Sequence, residues 1–290
     1  MAALGKPGIW WLASYPKSGN TWMRTFIANL LADGAAPVDI NALDTGGIAS
    51  ARALLDEWLM HPSAEMSADE LDHLRPRVNE WIHARATEAR FLKIHDALRA
   101  GPGVPPLVGP ASAAGVICIV RNPLDVAHSA ANHWGCSMDE SVERLCNPAH
   151  GLSLTIRHQG RQVRQHLGRW TDHVMGWAGI AAVPRLLLRY EDLLEDPHRH
   201  FAEVARFVGL PDDAGRVARA VAHSRFDVLA AQEAQRGFGE RPEKSQKFFR
   251  SGQAGAWRER LQPGQVARII DAQAPGMRRF GYLDALGQPV

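Results

Sequence analysis

Cysteine is scarce and shows no pairing pattern. Cys118, Cys136 and Cys146 are the only three, and no C-x-x-C spacing occurs. An odd count of this kind excludes a disulfide-stapled scaffold and suits a reducing compartment, so a cytoplasmic protein is expected. An excess of charge is lacking as well: 33 Lys plus Arg stand against 31 Asp plus Glu, a formal +2. That balance gives no support to nucleic acid or a membrane surface as a partner. Met1 to Gly8 holds no apolar core of signal-peptide length. One uncharged run, Ala100 to Val120, is long enough to span a bilayer, but four prolines and four glycines inside it make it a loop leading into a strand. His128, His133 and His150 have no ligand spacing with the cysteines, so no metal site is expected. Lysine is rare beside arginine, which together with abundant alanine points to a GC-rich bacterial source. Neither a repeat nor an interdomain linker is visible, so residues 1–290 are read as one domain. Hydrophobic residues at 46% provide for a real core.

Residues 9 to 31 organise what is present. Ile9 to Ala13 has the length and composition of a buried strand. Tyr15-Pro16-Lys17-Ser18-Gly19-Asn20 breaks it, and a 3.6-residue period follows through Trp22, Met23, Phe26, Ile27, Leu30 and Leu31. Asn20 or Thr21 is the expected N-cap. Strand, tight loop and helix start make an anion site, because the first helical N–H groups lack partners and the macrodipole favours negative charge. Lys17 adds a cation, and Ser18 and Thr21 add hydroxyls. The triphosphate loop Gly-x-x-x-x-Gly-Lys-[Ser/Thr] is absent, since here Lys precedes Gly.

Three more segments end in polar residues. Arg90 to His95 alternates, with Phe91, Lys93 and His95 on one face and Leu92 and Ile94 on the other. Lys93 and His95 therefore point into one place. Gly115 to Val120 is a continuous apolar run, as in a strand buried on both faces. It enters Arg121-Asn122-Pro123-Leu124-Asp125, with Asn122 as N-cap, Pro123 at N1 and Asp125 completing a capping arrangement. Arg185 to Tyr190 is a further buried strand, followed by Glu191 and Asp192, whose place at a helix start favours capping over acid–base or metal chemistry. Ala51–Met60, a capping-box helix from Ser67, a segment with Val78, Trp81 and Ile82, and residues 136 to 180 read as helical. Most of their Trp, Met and Leu side chains are read as core. Arg161, Arg164, His166 and Arg169 are read as a solvated face. Arg236 to Gly252 is rich in Gly and charge, the composition of a lid.

Tyr-Pro-Lys-Ser-Gly-Asn-Thr-Trp (15–22) resembles the 5′-phosphosulfate loop of the soluble sulfotransferases, whose donor is 3′-phosphoadenosine 5′-phosphosulfate. The other motifs follow in that family's order, from residue 10 to 257. The resemblance implies that Lys17, Ser18, Gly19, Asn20, Thr21 and Trp22 bind the donor. It implies that Lys93-Ile94-His95 carries the catalytic base, His95, with Lys93 near the bridging oxygen. Asp96 departs from the pattern and bears on acceptor preference. Arg121 and Ser129, eight apart, match the pair that holds the 3′-phosphate. Tyr190-Glu-Asp-Leu matches a nucleotide-contacting tyrosine, and Ser224 and Phe226 match the adenine surroundings. Arg250-Ser251-Gly252 resembles the 3′-phosphate clamp, with Ser251 in place of a Lys. The dimer motif of many animal members is missing beyond Trp257, which leaves monomer and homodimer both open.

Apolar strands separated by helices and ending in polar residues indicate a three-layer α/β/α fold with a parallel sheet, here of the P-loop-like sulfotransferase type, with ligands beyond the carboxyl ends of the strands. The implied activity is sulfuryl transfer, without a metal, to a hydroxyl or amine of a small-molecule acceptor. A magnesium-dependent kinase and a non-catalytic adenine-nucleotide binder are the alternatives.

Overall fold

The computed structural model describes residues 5–43, 45, 47–99, 105–154 and 160–290. The chain begins with β1 (Gly8–Ser14), buried along its whole length, and α1 (Asn20–Ala32). After α2 (Arg52–Leu59) comes α3 (Ala68–Arg85), opened by the Ser67–Glu70 capping box. The two helical segments expected around Val78 are one helix that carries Pro76 within it, and Trp81 lies on its exposed side. Next come β2 (Ala89–Ile94), β3 (Gly115–Val120), α4 (Pro123–Trp134) and α5 (Met138–Cys146). Residues 100–104 of the uncharged run are outside the described residues; its remainder is loop and then β3.

The region from 136 to 180 is not helical throughout. Between α5 and α6 (Trp170–Ala178) lie the two-residue strands β4 (Gly151–Leu152) and β5 (Gln165–His166), paired antiparallel. Then follow β6 (Arg185–Arg189), α7 (Tyr190–Glu195), α8 (Pro197–Val208), α9 (Ala214–His223), α10 (Phe226–Arg236), α11 (Trp257–Arg260) and α12 (Pro263–Arg279).

The main sheet runs β2-β1-β3-β6, every neighbouring pair parallel. Alternation along its strands sends side chains to two cores. Ile9, Trp11, Leu92, Ile94, Val116 and Cys118 pack with α3, α4, α6 and α12. Trp10, Leu12, Phe91, Ile117 and Ile119 face the other way, with Met23 and Phe26 of α1 and Phe201 of α8. The expected three layers are present, and Cys118 is in the core. β6 differs from its expected burial: as an edge strand it has an exposed first residue, Arg185, and only Leu188 is fully buried.

Candidate active site

The loop after β1 is shaped by backbone. Lys17 at φ 69° and Gly19 at φ 105° are both left-handed, and such reversals gather successive N–H groups into an anion-binding hollow at the start of α1. Gly19, not Asn20 or Thr21, is the cap residue. Asn20 instead donates its amide to Leu12 O (2.8 Å) and Ser14 Oγ (3.2 Å), tying the loop to the strand. A Cβ on Gly19 would lie 2.8 Å from the Tyr190 ring, so the loop can rest there only as glycine.

His95 follows β2 directly, and its ring faces Ser14. Its Nδ1 lies 2.8 Å from Ser14 O. A carbonyl only accepts, so Nδ1 carries the proton and Nε2 keeps its lone pair. The segment is held from α6: His173 Nε2 donates to His95 O and Trp177 Nε1 to Asp96 O, each at 3.0 Å. The Asp96 carboxylate faces inward, in a two-pronged pair with Arg75 at 2.9 and 2.8 Å, both side chains at most 2% exposed. The departure at position 96 is thus an internal ion pair beneath the base. Lys93 is not free to reach a bridging oxygen in this geometry: its Nζ donates to Glu240 Oε2 at 2.7 Å.

At the end of β3, Arg121 donates to Lys17 O (2.9 Å) and Gln253 O (3.0 Å), and its guanidinium lies 4.4 Å over the Tyr190 ring. Asn122 caps α4 as expected. Asp125 does not, since its carboxylate accepts from the N–H groups of Gly255 and Trp257 and so fixes the turn after the clamp residues. Glu191 is no cap either: it accepts from Asn122 N and Tyr282 Oη. Ser224 ends α9 and donates to Val221 O. Phe226 opens α10 against Gly252, where an added Cβ would come within 2.5 Å of its ring. Arg250 meets the His128 ring.

These residues converge. A cavity of about 1230 Å³ beyond the strand ends is lined by Lys17, Gly19, Asn20, Thr21 and Trp22, by Lys93 and His95, by Arg121, Ser129 and Tyr190, by Ser224 and Phe226, and by Arg250, Ser251 and Gly252. Ser18 is the predicted residue that does not line it; its hydroxyl is buried without a hydrogen-bond partner among the described residues. Of the basic residues read as a solvated face, Arg161 lines the cavity, while Arg164 and His166 pair with Asp72 of α3. Among the described residues no His, Cys, Asp or Glu cluster has metal-holding geometry.

Burial and clustered cations set the electrostatics. Burial, with Arg121 and Lys93 nearby, pulls the Lys17 ammonium down to about 7. Burial and the Lys93 charge hold His95 down to about 3, and His133, also on the cavity wall, is likewise lowered to about 3 by burial, Lys17 and Lys93. Glu240 is held down to about 2 by Lys93 and Arg24 against the cost of its burial. Lys17 Nζ sits 3.7 Å over the Phe248 ring. Glu240 and Phe248 were not singled out from sequence. The only signal was their place in the Gly- and charge-rich stretch before the clamp.

A parallel sheet with an anion-binding loop, a half-buried neutral histidine and the cationic Lys17, Arg121 and Arg250 on one cavity defines an enzyme of group transfer from an anionic nucleotide. The comparisons narrow that class. A family model described as a sulfotransferase domain matches residues 8–281, and the chain belongs to that family. It is 23% identical to cytosolic sulfotransferase 17 of Arabidopsis thaliana, over 97% of this chain and 77% of that one. It is 26% identical to sulfotransferase 1E1 of Cavia porcellus, over 85% and 75%. Among solved structures, mouse sulfotransferase SULT7A1 complexed with PAP superposes with TM-score 0.57 at 18% identity, covering 97% of this chain and 86% of that one. Retinol dehydratase with androsterone and inactive cofactor PAP gives 0.59 at 20%, covering 93% and 80%. The chain is a sulfotransferase, an enzyme that uses 3′-phosphoadenosine 5′-phosphosulfate as sulfuryl donor.

Proposed function

We propose that this enzyme sulfates a hydroxyl or amine of a small-molecule acceptor, with His95 as general base. The observation that carries this is the His95 tautomer: Nδ1–H is spent on Ser14 O, so Nε2 stands as an acceptor in the cavity that also holds Lys17. The acceptor oxygen attacks sulfur, and its proton passes to Nε2. The bond from sulfur to the 5′-phosphate oxygen breaks, and its electron pair leaves with adenosine 3′,5′-bisphosphate. Lys17 and the N–H groups of the loop stabilise that leaving phosphate. By analogy with phosphoryl transfer, positioning and charge stabilisation dominate. The donor's negative charge offsets the field of Lys93, raising the basicity of His95 when both substrates are in place.

Arg121, Ser129 and Arg250 hold the 3′-phosphate, with backbone donors at Ser251 and Gly252 in place of the missing lysine. Trp22, Tyr190, Ser224 and Phe226 surround the adenosine, while Ser18, Gly19, Asn20 and Thr21 shape the phosphosulfate loop. Lys93 would turn to the bridging oxygen only if Glu240 releases it. Residues 1–290 act as one catalytic domain, supported by a family match from 8 to 281 and by α12 packing back on α5 and α6. The Arabidopsis relative is named a cytosolic sulfotransferase, which supports a cytoplasmic location; no helix of the described residues is long and apolar enough to cross a membrane. Composition alone supports a bacterial source.

Thermal unfolding with adenosine 3′,5′-bisphosphate, ADP or 5′-AMP, each with and without magnesium, tests the donor site. Ligand at ~100 times its dissociation constant adds about 2.7 kcal/mol. Magnesium-independent stabilisation specific to the 3′-phosphorylated nucleotide is expected; stabilisation by ADP with magnesium alone would return the kinase alternative. His95→Ala should keep that stabilisation and lose ~10²–10⁴-fold in turnover.

A further inference from the structure

One wall of the cavity is left unused by the donor and the base. Residues 160–165 run beside 48–51, and 48–51 run beside β2. Ile48 bridges Lys93 and Ala51 bridges Gln162. Ala49 N–H donates to Lys93 O at 2.9 Å, and Val163 N–H to Ser50 O at 2.8 Å. Gln162 is therefore fixed one extended segment away from Lys93, on the β2 side of the cavity where His95 sits.

The Gln162 amide is oriented by its neighbours. Its Oε1 accepts from Ser50 Oγ at 3.1 Å and from Gln165 Nε2 at 2.8 Å. Ser50 and Gln165 are at most 1% exposed, which confines both, and Gln165 Oε1 is left buried without a partner among the described residues. Both lone pairs of Oε1 are thus used, and the Nε2 end is left over. Gln162 lines the cavity, and among the described residues its Nε2 meets no acceptor. Arg161 lines the cavity beside it and pairs with no carboxylate among the described residues, and the lining also holds Arg241, Lys244 and Glu243. A donor held in place by two buried partners loses little freedom on binding, which makes it selective.

We propose that Gln162 Nε2, with Arg161 beside it, selects the acceptor. The substrate is an alcohol or phenol with a second, hydrogen-bond-accepting oxygen, a carbonyl or carboxylate, apart from the hydroxyl that meets His95. This rests on the sulfuryl-transfer reading above and adds the substrate class to it.

The test uses three phenols of matched shape: 4-propylphenol, 3-(4-hydroxyphenyl)propionamide and 3-(4-hydroxyphenyl)propionate. Steady-state kinetics with saturating donor are measured for the wild type, Gln162→Leu and Gln162→Glu. In the wild type, kcat/KM should favour the amide over the propyl compound by roughly 3- to 10-fold and the carboxylate by about 10- to 100-fold. Gln162→Leu should erase the amide's advantage and most of the carboxylate's, through KM with kcat unchanged. Gln162→Glu keeps an oxygen for Ser50 and Gln165 but removes the donor, so the carboxylate should fall below the propyl compound. Adenosine 3′,5′-bisphosphate should stabilise all three proteins equally. Equal kcat/KM for the three phenols, no turnover of any by a protein that binds the nucleotide, or a ranking unchanged in Gln162→Leu overturns the assignment. A wild type that the nucleotide does not stabilise overturns the donor reading instead.

Discussion

Asp96→Ala should unfold this protein more readily than any change at its surface. The Asp96 carboxylate and the Arg75 guanidinium are at most 2% exposed and meet through two bonds of 2.9 and 2.8 Å. Removing the carboxylate leaves Arg75 charged in the core with Arg164 O, at 3.1 Å, as its remaining acceptor. Breaking one side of such a pair costs about 3–5 kcal/mol. At ~2.1 cal/mol/K per residue, a 290-residue chain has an unfolding entropy of about 0.6 kcal/mol/K, so Tm should fall by about 5–8 °C. Arg75→Met combined with Asp96→Ala removes both charges and should recover most of the loss, since an apolar pair of similar volume often replaces a buried ion pair without cost. Urea midpoints with an unchanged slope would provide the free energies. Because His173 and Trp177 hold the backbone of His95 and Asp96, the ranking of acceptors at low temperature should stay that of the wild type. A loss below 1 kcal/mol in the single variant, or a double variant no more stable than the single, would refute the argument.

Nucleotide binding should take up a proton above neutral pH, because Lys17 sits near 7 and the adjacent 5′-phosphate of the bound bisphosphate restores its charge. Calorimetry of adenosine 3′,5′-bisphosphate binding in buffers of different ionisation enthalpy should show uptake at pH 8 and almost none at pH 6; equal values would refute it. Acid should destabilise the fold early, since His150 and His173 are buried and His95 and His133 half-buried, all neutral, at about 3 to 4 against an ordinary 6.5. Their folded values are depressed, so the unfolded chain binds more protons and stability falls as pH drops from about 6.5 towards 3; urea midpoints flat across pH 7 to 5 would contradict this. Glu240→Gln should free Lys93 and Arg24 and loosen residues 237–249, read as faster tryptic cutting at Lys244 and Lys247 that the bound nucleotide slows. Gly19→Ala combines a φ of 105° with a 2.8 Å approach to Tyr190, so it should cost about 1–3 kcal/mol and abolish nucleotide stabilisation; retained binding would show that the loop tolerates a side chain.

The parts of the site that sequence made legible are those written within a few residues. Strand, breaker and helix start are contiguous from Ile9 to Leu31. Lys93 and His95 share a face because strands alternate, and Arg121 and Tyr190 follow apolar runs that end where a parallel sheet binds ligands. Capping was misassigned where a side chain had a better distant partner. Asp125 serves the Gly255–Trp257 turn and Glu191 serves Asn122 and Tyr282, both long-range bonds that local pattern cannot show. The β4–β5 pair escaped because strands of two residues have no period to detect.

The same distinction separates chemistry from specificity. The phosphate loop and the base work through backbone turns and a strand end, which short motifs encode. The acceptor wall works through Gln162, whose orientation depends on Ser50, 112 residues away, and through Glu240, which reaches Lys93 across 147 residues. Neither Gln nor Glu is unusual in its local sequence, and each becomes informative only when both ends of its contact are known. Two enzymes of this family could therefore share every motif of the donor site and still differ in acceptor through one amide and the residues that aim it. Exchanging residues 160–165 together with Ser50 carries the partners that set the Gln162 rotamer, whereas Gln162 placed alone in another wall would turn towards water.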